Sequence, residues 1–283
     1  MPAAEPFVTT PPADLPGWVA LFDDRTLPVL AQTAQTLEEL RLVEDDVDAH
    51  MLAEAIGDDP LLTVKLLAHV ARLNRARGRE CSDQETVTEA LVMLGIGPFF
   101  RAFGPQPVAE APLAVLPSAA KGFAQVLRRS RRAARFAIGF AVHRMDPDAS
   151  VLHEAALLHD FAELLLWQRA PTLALEVQRR QQADATLRSA AVQRELLNVE
   201  LAELQHALML AFNLPTLLVH TNNGHTQAED RQRQTVQLAI SVARHSASGW
   251  NNAALPDDID AVAQLLQLGR EPTERLLQDI DGG

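Results

Sequence analysis

Apolar residues recur at spacings of three and four along most of the chain, the spacing of amphipathic helices. From Leu27 to Leu42 the repeat runs through Leu30, Ala34, Leu37 and Leu40 with polar residues between them. A second helix is predicted over Asp48 to Gly57. The third opens at Asp59-Pro60, where Asp59 can accept the first free backbone N–H groups and Pro60 loses no useful donor. Leu61, Leu62, Val64, Leu66 and Leu67 make its buried side. Thr86 to Leu94 reads as a helix closed by Gly95, because glycine tolerates positive φ at a helix C-terminus.

The Gly- and Pro-rich segment GIGPFFRAFGPQPVAEAPLAVLP is expected to connect two helical halves. Beyond it helices are predicted over Lys121 to Arg144, Ser150 to Trp167, Thr172 to Ala183, Thr186 to Phe212, Leu214 to Thr221 and Gln227 to Ser246. No run alternates over strand length, and Asn223-Gly224 has no flanking strands to make it a hairpin turn. The expected fold is all-α, with two helical halves packed together. Its predicted parts are a proline-punctuated extended lead-in over 1–20, helical halves over 21–110 and 111–226, and a helical extension over 227–283.

Composition narrows the function. With 283 residues, 47% hydrophobic, the chain can bury a sizeable core. The net charge of −12 repels polyanions over most of the surface, so no nucleic-acid partner is expected and any anion site has to be a local basic patch. Tyrosine is absent, which removes the usual base-stacking platforms. Cys81 is the single cysteine and forms no internal disulfide; no catalytic-looking histidine lies near it in sequence. No signal-peptide pattern or apolar run of membrane-spanning length appears, so the expected location is cytoplasmic, with no membrane partner. Trp18, Trp167 and Trp250 are scattered and read as core residues.

The most suggestive local sequence is AALLHDFAELLL, residues 155–166. Within the helix predicted over Ser150 to Trp167, at about 100° per residue, His153, His159, Asp160 and Glu163 fall within a sector of about 120°. Imidazole and carboxylate on one stripe are ligand types for divalent ions. The bland alternative is that they satisfy buried polar groups and bind nothing.

Several stretches together resemble the HDOD domain, a bacterial signalling relative of the HD phosphohydrolases. LPVLAQTAQTLEEL followed by LAEAIGDDPLLTVKLL is similar to the family's opening. EALVMLGIGPFFRAF resembles its Ala-x-x-x-Leu-Gly segment, and LLHDFAELLL its Leu-Leu-His-Asp-x-Gly core with Ala162 in the glycine's place. LLNVELAELQHALMLAFNLP is close to the stretch on which the family ends, with Glu203 and Leu214-Pro215 kept. The resemblance covers roughly Leu27 to His225 and implies an all-α fold.

It also implies where a metal site would lie: a histidine on an earlier helix, the His-Asp pair and a later aspartate. Aligned on RRSRRAAR, Arg129 stands at the first histidine, with Ser130 and Ala134 matching. Arginine has no lone pair to offer and its fixed charge opposes a cation. Leu201 replaces a common histidine, Gly224-His225 stands near a usual His-His pair, Ala71-Arg72 replaces an Asn-Ser, and no clear late aspartate follows in QTVQLAISVARHSASGW. The expected HD site is therefore vestigial, made of Arg129, His159, Asp160 and Glu163, with no catalytic residue, metal or cofactor. Arg129 is expected to fill the lost metal's place and pair with Asp160 or Glu163.

The segment LRRSRRAARF places Arg128, Arg131, Arg132 and Arg135 on about half of one helix. With His153 and His225 these are candidates for a nucleotide phosphate or an acidic partner; a solvated helix face is the bland reading. Arg72, Arg75, Arg77 and Arg79 form a second basic run at an expected helix end. The leading expectation is a non-catalytic signalling module that binds a protein partner or small ligand, including a nucleotide or cyclic dinucleotide, and acts in trans. The rivals are a metal-dependent phosphohydrolase using His159 and Asp160 with His153, His220 or His225, and a nucleotide sensor using the arginine-rich helix.

Overall fold

A computed structural model describes residues 6–78, 84–184, 187–222 and 231–282. The helices in chain order are α1 Leu15–Val19, α2 Ala31–Arg41, α3 Ala49–Ile56, α4 Pro60–Ala76, α5 Val87–Leu94, α6 Ile96–Ala102, α7 Pro117–His143 and α8 Ala149–Leu157. There follow α9 Phe161–Arg169, α10 Pro171–Ala183, α11 Ser189–Leu197, α12 Leu201–Ala211, α13 Thr216–Asn222, α14 Arg231–His245, α15 Leu255–Leu266 and α16 Arg270–Gly282. The fold is all-α, and the extended pairing among the described residues is one parallel bridge between Val29 and Val108.

The chain divides into two compact units. Unit 1 combines the chain up to Val126 with Asp160–Pro215, and unit 2 combines Leu127–His159 with Thr216–Gly283. In unit 1, α4 packs on α5, α5 on α3 and α6, and α3 on α2, while α12 packs on α1 and α9, and α10 on α9 and α11. Leu61, Leu62, Val64, Leu66 and Leu67 of α4 are all buried, as the spacing predicts, each stabilising by about 1.5–3 kcal/mol relative to exposure. In unit 2, α8 packs on α13 and α14, α14 on α15, and α15 on α16.

Local chemistry sets several helix ends. Asp59 caps α4 and Asp48 caps α3. Thr86 and Glu89 form a capping box at α5, and Gly95 ends that helix at φ 83°.

The structure departs from the sequence pattern in four places. The lead-in contains α1, whose Trp18 is fully buried and donates its indole N–H to Leu197 O at 2.7 Å. The Gly/Pro-rich connection holds α6, because Phe99 and Phe103 stack with centroids 4.8 Å apart and bury it. The helix predicted over Thr186 to Phe212 breaks at Asn198, which is left-handed at φ 62°, and restarts through a capping box of Glu200 and Glu203. The helix predicted over Ser150 to Trp167 breaks at residues 158–160.

Candidate functional site

That last break rebuilds the candidate site. The α8 helix closes at Leu158, whose N–H still reaches Glu154 O at 2.9 Å, and His159 N–H bonds only three residues back, to Ala156 O. Asp160 sits at φ −109°, ψ 18°, outside the helical region, and α9 starts after it. His159 and Asp160 therefore occupy a tight turn between two helices. The expected polar stripe with His153 and Glu163 needs one continuous helix and is corrected: His153 lies on α8 and Glu163 on α9. His159 closes the first segment of unit 2 and Asp160 opens the second segment of unit 1. All four side chains are half-buried.

No Gly or Pro marks this break. A tertiary contact stabilises it: Gln205 of α12, buried at 6% exposure, accepts the Ala162 N–H at 2.9 Å, satisfying one of the amides that a helix start leaves free. Ala162 is itself buried, so the residue standing in the family glycine's place packs in the core. Gln205 is a supporting residue that sequence reading missed. Its only sequence signal is a polar residue on the apolar face of α12. Glu154, buried at 6% exposure on α8, was likewise missed.

The arginine helix is α7, and its cations do different things. Arg132 donates to both carboxylate oxygens of Asp281 at 2.7 and 2.9 Å, to Ser246 Oγ at 2.7 Å and to Ala243 O at 3.1 Å, and lies over the Phe136 ring. One of the candidate cations for a phosphate or acidic partner, Arg132 ties α16 and α14 to α7 inside unit 2. Arg128 and Arg135 are exposed, while Arg129 and Arg131 are half-buried. In the second basic run Arg72 pairs with Asp24, and burial holds its pKa below the usual value despite Asp23 nearby. Arg75 and Arg77 are exposed at the C-terminus of α4, where the helix dipole favours them. His225, Cys81, Arg79 and Asn223-Gly224 lie outside the described residues.

Two further buried charges lie in unit 1. Asp59, 1% exposed, accepts from the Leu61 and Leu62 amides with one oxygen and from the Leu30 amide with the other. Its pKa is raised by burial, opposed by those hydrogen bonds and one from Thr33. Lys65, 7% exposed, donates to Leu27 O at 2.7 Å and to Gln106 Oε1 at 2.5 Å. Burial lowers its pKa to about 8, against the attraction of Asp59 and Asp23. The neighbouring Val29 amide is held by Pro107 O at 2.9 Å. These contacts pin the Leu-Pro segment before α2, so they read as structural.

Arg129 stands where the resemblance puts the first ligand, and among the described residues no group of three or more His, Cys, Asp or Glu side chains is arranged to hold a metal. A catalytic zinc-type centre needs about three protein ligands and an open position. Among the described residues no helix is long and apolar enough to cross a membrane.

Comparison with known proteins agrees with the architecture. The fold is similar to that of the MmoQ response regulator from Methylococcus capsulatus, with TM-score 0.69 and 21% identity over 89% of this chain and 98% of that one. It is also similar to a virulence factor from Campylobacter jejuni, with TM-score 0.62 and 18% identity over 90% of each chain. At these identities the likeness is one of fold. No curated protein matches the sequence. The HDOD domain family model matches residues 27–228, from the Leu27-Pro28 opening to just past the Leu214-Pro215 stretch, and the chain therefore belongs to the HDOD domain family.

Proposed function

We propose that this HDOD chain is a regulatory module that transmits a signal by binding a protein partner or a small ligand, without hydrolysing phosphate esters. What supports the reading is Arg129, which the family resemblance sets where HD hydrolases have a histidine ligand. A guanidinium donates hydrogen bonds and holds a fixed positive charge, so it repels the cation that an HD hydrolase would use. His159 and Asp160 remain, but two ligands do not make a metal-activated water. Their turn is built by the packing of α9 on α12 and by the Gln205 contact, which gives both residues a place in the scaffold independent of chemistry.

Metal analysis of the purified chain, with phosphodiester and nucleotide hydrolysis assayed in manganese, tests this. The expected result is no stoichiometric transition metal and no turnover. Bound metal with turnover that is lost in His159→Ala establishes the hydrolase instead. Nucleotide binding that depends on Arg128 and Arg135 selects the sensor.

A further inference from the structure

Unit 2 contains a cleft of about 410 Å³ that the HD-type residues do not line. It lies where the C-terminus of α7, the first turn of α14 and the C-terminus of α15 meet. His143 and Arg144 come from the first, Arg231 and Gln234 from the second, and Gln264 and Gln267 from the third. We propose that this cleft binds a small phosphate monoester, with the phosphate between Arg144 and Arg231 and the organic part against the glutamine amides.

Four observations carry it. The lining holds two arginines and a histidine and no carboxylate, in a chain whose net charge is −12. Arg231 is exposed at the mouth, and among the described residues neither its guanidinium nor the His143 ring makes a hydrogen bond or ion pair. Arg144 is fixed in place: it donates to Thr235 Oγ1 at 2.7 Å and pairs with Asp146 at 3.9 Å. The volume falls in the range of small-molecule sites, which runs from about 300 to 1,000 Å³.

The ordinary explanation for cations here is the pair of helix C-termini. Each carries only about half a negative charge, and the start of α14 contributes about the same with the opposite sign. Even with Asp146 counted against Arg144, the two guanidinium charges exceed what the helix ends compensate. The α15 end is also closed on itself, since left-handed Gln267 donates to Gln264 O and Leu268 donates to Ala263 O. Arginine's planar fork suits phosphate, and three glutamine amides supply both donors and acceptors for a sugar or a base. An apolar ligand would leave these groups unpaired.

Calorimetric titration of the full chain with AMP, ribose 5-phosphate, inorganic phosphate and adenosine tests the assignment. Saturable binding of either ester, tighter than inorganic phosphate and absent for adenosine, is expected, with AMP against ribose 5-phosphate showing whether a base is read. Arg231→Gln is expected to weaken it about tenfold or more, as for a lost charge-assisted hydrogen bond, with an unchanged melting temperature, since this side chain supports no other contact among the described residues. Arg275→Gln, an exposed cation on α16 paired with Glu271, is expected to leave binding unchanged. The proposal is overturned if neither ester binds, if inorganic phosphate binds as well as the esters, if adenosine binds equally, or if Arg275→Gln weakens binding as much as Arg231→Gln.

Discussion

The Leu30 amide donates to Asp59 Oδ2 at 2.8 Å while Asp59 Oδ1 caps α4 through Leu61 and Leu62 at 2.9 and 3.0 Å. One buried carboxylate thus fastens the entry to α2 onto the start of α4, linking two parts of the family's opening motif that lie 29 residues apart.

Asp59→Ala removes a helix cap, worth about 0.5–2 kcal/mol, and leaves the buried Leu30 N–H unpaired at a further cost of about 1–3 kcal/mol. Asp59→Asn keeps one acceptor for the cap but cannot accept with both of its terminal atoms. Denaturant unfolding is expected to rank wild type above Asn and Asn above Ala; an Ala variant within 0.5 kcal/mol of wild type, the ordinary scatter of surface changes of about ±0.5, would refute this role.

Lys65 provides a pH signature. Its folded pKa is about 8, below the ordinary lysine value of 10.5. Between these values the unfolded chain holds a proton that the folded chain has released, so stability rises with pH across this window. The contribution is fully present above 10.5 and lost as pH falls through about 8, with an upper bound of about 3 kcal/mol at 1.36 kcal/mol per unit. The chain has no tyrosine and one other lysine, Lys121, so few groups compete in that range. Unfolding free energies from pH 7 to 10 should rise for wild type relative to Lys65→Met; parallel curves would contradict it.

Gly122 of α7 meets the Trp167 ring within unit 1, where an added Cβ would lie 2.3 Å from Trp167 Cη2. Trp167 is 2% exposed and has little room to move. Gly122→Ala should therefore destabilise by about 1–3 kcal/mol through overpacking, although alanine is the better helix former by about 1 kcal/mol. A melting temperature above wild type would show that the ring gives way freely.

Arg132→Ala leaves Asp281 and the Ala243 carbonyl without their donor, a loss of about 1.5–3 kcal/mol for charge-assisted bonds in a partly buried setting. Hydrogen exchange should quicken most over 270–282, the span of α16, with unit 1 helices such as α4 unaffected. Equal acceleration everywhere would mean that Arg132 supports the whole chain rather than the seating of this helix. Arg128→Gln and Arg135→Gln, both on exposed side chains, should change stability by no more than about 0.5 kcal/mol.

Much of the fold was legible because its signals are local. Asp59-Pro60 marks the start of α4, the leucine spacing marks its buried face, and Gly95 marks the end of α5. The break at Asn198 carried a readable signal too, an asparagine followed by a Glu/Glu capping box, but the apolar periodicity on both sides masked it. The turn at His159-Asp160 had no such marker. The amide of Ala162 is satisfied by a side chain 43 residues further on, a partner that periodicity cannot reveal.

The amino-acid sequence by itself determined the helical class and the family, since apolar spacing, capping residues and ordered motifs are properties of the chain as written. Tertiary structure decided which cations are structural and which remain available. Arg132 and Arg135 look alike in the string RRSRRAARF, yet one is taken up by Asp281 from the far end of the chain while the other stays exposed. The cleft of Arg144 and Arg231 likewise gathers three helix ends from distant positions. A side chain's partners depend on which surfaces folding buries against each other, and that is a long-range outcome of packing.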